Sequence, residues 1–223
     1  MDWAPLILTL RLALVATGIL FLIGLPLAWV LAYRRFVGRP VLETLVSMPL
    51  VLPPTVLGFY LLLAFSPGGR VGAWIESTLG IHLVFSFAGL VLASVIYSLP
   101  FMVQPLQAGF QQVPMRLQEA AYTLGKSKIA TLWHVVLPNM KSALLTGCVL
   151  TFAHTIGEFG VVLMIGGNIP GQTRVASIAI YDEVERMNYA AANQYALVLF
   201  AITFIILLLV YLTNGGYLKR LGR

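Results

Sequence analysis

Long apolar runs with few or no charges alternate with polar junctions along this chain. Residues 12–33 carry no charge and are long enough to cross a hydrocarbon core of about 30 Å. Further runs lie between Glu43 and Arg70, over 77–115, over 142–167 and over 194–218. This pattern predicts an all-α, polytopic membrane protein with five transmembrane helices. Pro26 implies a kink in the first span. Pro49, Pro53 and Pro54 require the second to be bent or broken, and the freed carbonyls then need a neighbouring helix or water. That reading leaves a packing kink and a gating role equally open. The third run is too long for one straight span; Pro100 and Pro105 bend its far half, and Gln104, Gln107, Gln111 and Gln112 make its end polar. Met1-Asp2 supplies no basic n-region, so the first run is expected to be a retained span rather than a signal peptide. Residues 175–185 predict a helix lying along the membrane surface.

The longest polar interruption is 114–138. Pro114 suits the first position of a helix, and Leu117, Ala121 and Leu124 fall on one face of it. Gly125 sits where a left-handed C-cap belongs, Ser127 caps a second helix, and Pro138 closes that helix. The prediction is a helix–turn–helix outside the membrane. Its distinctive feature is Glu119 beside Ala120 and Ala121, side chains small enough for another protein to approach the backbone.

Inside the spans, ionisable groups are costly and by default face a bundle interior or an aqueous path. His154 and Glu158 stand at i, i+4 and would share one helix face. They read either as a self-satisfied pair that orients helices or as part of a path, and Gly157 and Gly160 would permit local unwinding around Glu158. Pro53, Pro54, His154 and Glu158 are thus the pathway or gate candidates. Cys148 lies in an apolar run and reads as a packed side chain.

Composition narrows the class. With 59% hydrophobic and 10% charged residues, the chain falls well outside ordinary soluble domains, where about 25% of residues are charged. The net charge of +6 does not imply nucleic acid, because the basic residues sort by junction. Arg34, Arg35, Arg39, Arg116, Lys126, Lys128, Lys141, Lys219, Arg220 and Arg223 fall on one side; Arg11, Arg70, Arg174 and Arg186 fall on the other. The positive-inside rule then places the N-terminus outside and the C-terminus and residues 114–138 in the cytoplasm. The length suits a single transmembrane domain, 1–223. No phosphate-binding GxxxxGK[ST] is present, since Gly125-Lys126-Ser127 lacks the upstream glycine, and no residues have metal-ligand spacing.

Glu119-Ala120-Ala121, Gly125 at its offset and Val135-x-Leu137-Pro138 resemble the EAA loop of bacterial ABC importer permeases, whose usual form has Ile in place of Val135. The resemblance implies a type I importer permease fold in which Glu119, Ala120, Ala121, Gly125, Leu137 and Pro138 form a coupling element docked on a separate ATP-hydrolysing subunit. Residues 48–58, Gly157-Glu158-Phe159-Gly160, Asn168-Ile169-Pro170-Gly171 and Thr173-Arg174 are similar to molybdate permeases. Sulfate permeases are similar around Gly157-Glu158 but differ in the Pro-Pro region, and some molybdate permeases have Arg at the position of His154.

This resemblance implies a homodimer around a shared path in a bacterial or archaeal cytoplasmic membrane. Two ATPase subunits would bind ATP and Mg, and a periplasmic or lipid-anchored oxyanion-binding protein would deliver molybdate, with tungstate accepted and sulfate as the alternative. The chain itself would hold no cofactor and catalyse no reaction, and Arg174 would meet the binding protein. A secondary transporter would need its own coupling-ion site, and an intramembrane enzyme a catalytic constellation.

Overall fold

The computed structural model describes residues 1–214. Lys219, Arg220 and Arg223, and the end of the fifth predicted run, lie outside the described residues. Every described element is helical. Helix α1 runs over Ala4–Tyr33 and continues through Pro26; at about 1.5 Å per residue its 30 residues exceed the thickness of a hydrocarbon core. It packs along α5 (Phe87–Gln112), which likewise continues through Pro100 and Pro105. Helix α9 (Lys141–Ile156) lies against both, and the three enclose a core that includes Leu20, Met102 and Phe110.

The second predicted run is not one rod. Helix α2 (Arg39–Ser47) and the 3-10 turn Met48–Leu50 are separated by a 113° bend from α3 (Pro54–Phe65). Consecutive prolines explain the bend. Pro53 precedes Pro54 and is driven to extended backbone, at φ −54° and ψ 136°. The third run also divides: α4 (Arg70–Leu79) ends at Gly80, and α5 begins only after Ser86, whose hydroxyl accepts from the Gly89 amide at 3.1 Å.

The fourth run stops short as well. Helix α9 ends at Ile156, and the short α10 (Gly160–Gly166) resumes beyond a break to pack on α3. Helix α11 (Ala176–Glu185) occupies the predicted 175–185 segment and leads into α12 (Tyr189–Asn214). Among the described residues, three helices are long and apolar enough to cross a membrane, and five spans result if each of two bent helix pairs counts as one.

Candidate functional site

The polar interruption folds as two short pieces braced against the bundle. Helix α6 (Met115–Thr123) ends in a Schellman turn: the Gly125 amide donates to Tyr122 O at 2.9 Å and the Lys126 amide to Ala121 O at 3.0 Å. Gly125 has φ +77°, a conformation glycine adopts without the Cβ penalty. The buried face differs from the one the apolar spacing predicts. Leu117 and Leu124 are exposed, whereas Gln118 and Ala121 turn inward. A polar anchor sets this rotation: Gln118 Nε2 donates to Tyr33 Oη at 3.0 Å, and Tyr33 Oη donates to the Phe110 carbonyl at 2.9 Å. Glu119 and Ala120 therefore face out, while Ala121 packs against its own chain.

Ser127 caps the next helix, accepting from the Ala130 amide at 3.2 Å. This helix comprises α7 (Lys128–Thr131), a π segment (Leu132–Val136) and α8 (Leu137–Asn139). Pro138 does not close it; the helix passes through Pro138 to Asn139. The proline lacks an N–H and crowds the carbonyl four residues back, which a wider turn relieves. The Leu137 amide accordingly reaches Leu132 O, and Asn139 Nδ2 donates to Val135 O at 2.7 Å. Leu137 is buried and Pro138 exposed. A 74° bend at Met140 then turns the chain into α9.

At the far end of α9, a chamber of about 490 Å³ is lined by Pro54, Thr55, Tyr97, His154, Glu158 and Phe159 among others. It brings three of the four pathway candidates together; Pro53 is exposed and does not line it. His154 and Glu158 do not lie along one helix face, because α9 ends between them at Ile156. Each turns to a different serine of α5. Ser94 Oγ donates to Glu158 Oε2 at 2.7 Å, and Ser98 Oγ lies 2.9 Å from His154 Nδ1. The imidazole also stacks on Phe101, with centroids 3.9 Å apart.

Glu158 is 4% exposed, and its Oε1 has no hydrogen-bond partner. Its carbonyl accepts from Ser177 Oγ of α11 at 2.6 Å, and the Phe159 ring contacts Tyr181 of the same helix. The break between α9 and α10 is thus fastened to α5 on one side and α11 on the other. Gly160 allows α10 to start against α3, since a Cβ there would lie 2.9 Å from Pro54 Cβ.

Arg174 is tied into its own loop. Its Nε donates to Asn168 Oδ1 at 2.5 Å, and its guanidinium lies 3.6 Å from Asp182, which also pairs with Arg186 at 3.0 Å. Thr173, buried beside it, donates to Gly166 O at 2.6 Å and accepts from the Ile169 amide. Among the described residues, no three His, Cys, Asp or Glu side chains converge as a metal site. Gln118, Ser94, Ser98, Ser177 and Asn139 were not singled out by sequence. The signal for Ser94 and Ser98 was available: two hydroxyls at i, i+4 in an apolar span, the spacing that marked His154 and Glu158.

The sequence matches the family described as binding-protein-dependent transport system inner membrane component over residues 24–218. It is 47% identical over 211 residues to the molybdenum transport system permease protein ModB of Azotobacter vinelandii, covering 94% of this chain and 93% of that protein. It is 39% identical to the probable sulfate transport system permease protein cysT of Zygnema circumcarinatum, covering 96% and 72%. The fold is shared with the methionine ABC transporter MetNI, at a TM-score of 0.70 and 17% identity over 95% and 94% of the two chains. The chain therefore belongs to the family of binding-protein-dependent transport system inner membrane components, as a multi-span permease of the inner membrane with the fold of ABC importer permeases.

Proposed function

We propose that this chain is the transmembrane subunit of an ATP-driven molybdate importer, accepting tungstate as well. The observation that carries the coupling role is the outward placement of Glu119 and Ala120 on a helix anchored to α1 through Gln118 and Tyr33. A small side chain beside an acid, on a helix whose inner face is pinned, offers a rigid knob to a separate ATPase that binds ATP and Mg. Two copies of the chain enclose the path, with one ATPase beneath each. In this arrangement the N-terminus is outside, the C-terminus is cytoplasmic and the knob faces the cytoplasm. An oxyanion-binding protein docks on the opposite side, where the Arg174 loop supplies a contact.

ATP binding closes the ATPase pair, draws the knobs together and biases the permease between two states of different affinity. The break at Glu158 serves as the gate region. Glu158 is a gate-closing group rather than an oxyanion ligand, since a carboxylate repels the dianion. The substrate assignment rests on the 47% identity to a molybdenum permease. Similarity to a sulfate permease at 39% identity supports sulfate as the second reading.

The test is uptake of labelled molybdate and labelled sulfate by vesicles containing the permease, its ATPase and the cognate binding protein. Molybdate uptake that requires ATP and the binding protein is the expected result. Sulfate uptake with molybdate ignored would replace the substrate while leaving the importer architecture standing. Uptake without any ATPase would remove the proposal.

A further inference from the structure

A second cavity, of about 520 Å³, lies between the end of α1, helix α6 and the start of α7. Its walls carry three aromatic side chains, Trp29, Tyr33 and Tyr122, and two cations, Arg34 and Lys128. Among the described residues, no acidic side chain lines it. The Arg34 guanidinium stands over the Trp29 ring at 5.5 Å, which sets its direction. Thr131, also in the wall, is 1% exposed, and its hydroxyl has no hydrogen-bond partner. A buried donor without an acceptor is uncommon in folded proteins, and this one lies in the groove's wall.

We propose that this groove binds the headgroup of an anionic phospholipid. Location argues for lipid over a free phosphate compound with the same chemistry. The apolar run of α1 ends at Tyr33 and the basic residues Arg34 and Arg35 begin immediately after it, so the groove straddles the boundary where headgroups lie. Trp and Tyr are the side chains that favour this depth. Basic pockets between helices at such a boundary attract anionic headgroups. A phosphodiester paired with Arg34 and Lys128 would bring acceptor oxygens to the wall that holds the Thr131 hydroxyl. The glycerol and upper acyl carbons then lie along the aromatic walls.

Gln118, which fixes the rotation of α6, lines the same groove. A bound lipid would therefore brace α6 against α1. The site is independent of which ion the importer carries.

Native mass spectrometry of the purified full-length permease, with phosphatidylglycerol or phosphatidylcholine added in detergent, tests the proposal. The wild type should retain phosphatidylglycerol selectively. The double variant Arg34→Gln, Lys128→Gln should weaken retention by about twenty-five-fold, the product of roughly fivefold per cation removed. Arg116→Gln, Lys126→Gln removes the same charge from the same region, outside the groove, and should keep the lipid. Thr131→Val, of similar shape, should weaken retention without lowering the melting temperature, and so separates ligand loss from misfolding.

Equal loss in both double variants would reduce the effect to general charge and overturn the site. Displacement of the lipid by inorganic phosphate or glycerol 3-phosphate alone would overturn the lipid assignment. Undiminished retention in the Arg34, Lys128 variant would overturn it outright.

Discussion

The bond from Ser94 to Glu158 joins α5 to the break between α9 and α10, and removing it should loosen that junction measurably. Ser94→Ala leaves both carboxylate oxygens without a donor, because Oε1 already has none. Interhelical side-chain hydrogen bonds in a membrane protein average about 0.6 kcal/mol by double-mutant cycle. A bond to an ionised acceptor contributes about 1.5–3 kcal/mol. The coupling between the two residues should therefore fall between about 0.6 and about 3 kcal/mol, roughly a 3- to 150-fold change in an equilibrium constant. Thermal unfolding of wild type, Ser94→Ala, Glu158→Ala and the double variant gives that coupling as a double-mutant cycle. If the two single effects add to within about 0.3 kcal/mol, the bond fastens nothing and the reasoning fails. Glu158→Gln separates structure from transport, because its amide oxygen still accepts from Ser94. It should lower uptake by more than it lowers stability; parallel loss would make the residue purely structural, and normal uptake would remove it from the gate.

Three other outcomes follow from the geometry. Glu119→Lys or Ala120→Trp should abolish ATP-driven uptake at unchanged melting temperature, since both side chains face out; normal uptake would end the coupling assignment. Gln118→Leu should cut uptake while retaining ATPase binding in a pull-down, because it frees the rotation of α6 and leaves the outward residues in place. Gly160→Val should cost about 1–3 kcal/mol in thermal unfolding by forcing α10 away from Pro54; a neutral effect would show that the junction yields.

The sequence reading recovered elements whose cause is local. Pro53-Pro54 breaks the second run, Gly125 caps α6, Ser127 starts α7, and the glycines around Glu158 end α9. Each follows from the conformational limits of one or two residues. It failed where a distant partner decides. Apolar spacing put Leu117, Ala121 and Leu124 on one face, yet of these only Ala121 is buried, because Tyr33, 85 positions before Gln118, captures that side chain and sets the helix rotation. The i, i+4 relation of His154 and Glu158 presumed a helix that does not reach Glu158, and the partners that replaced it lie on α5, 64 and 56 positions away. Pro138 looks like a helix terminator until the π turn and the Asn139 side chain accommodate it.

Helix α9 is what makes the knob and the chamber one problem. Its 16 residues form an unbroken rod of about 24 Å between the bend at Met140 and the break at Gly157. A continuous hydrogen-bonded helix moves as a unit more readily than it bends, so displacement entering at one end is delivered at the other. Both ends are places where the backbone ladder is already interrupted, and rotation there sacrifices few helical bonds. At the Met140 end the π turn and Pro138 have loosened the ladder, while Gln118 and Tyr33 keep α6 from absorbing the motion itself. At the Gly157 end two serines of neighbouring helices hold Glu158, Ser94 on its carboxylate and Ser177 on its carbonyl. Since α5 and α11 hold opposite sides of the break, a shift of α9 must lengthen one of those bonds before the other. In the proposed cycle Ser94 yields first: its acceptor sits at the end of a flexible side chain, whereas Ser177 grips the main chain. Ser177→Ala should then release α11 from the break and uncouple ATP hydrolysis from uptake. Ser94→Ala should instead shift the balance between the two gate states, with hydrolysis still answering to the binding protein. The opposite assignment of those two phenotypes would reverse the order of release.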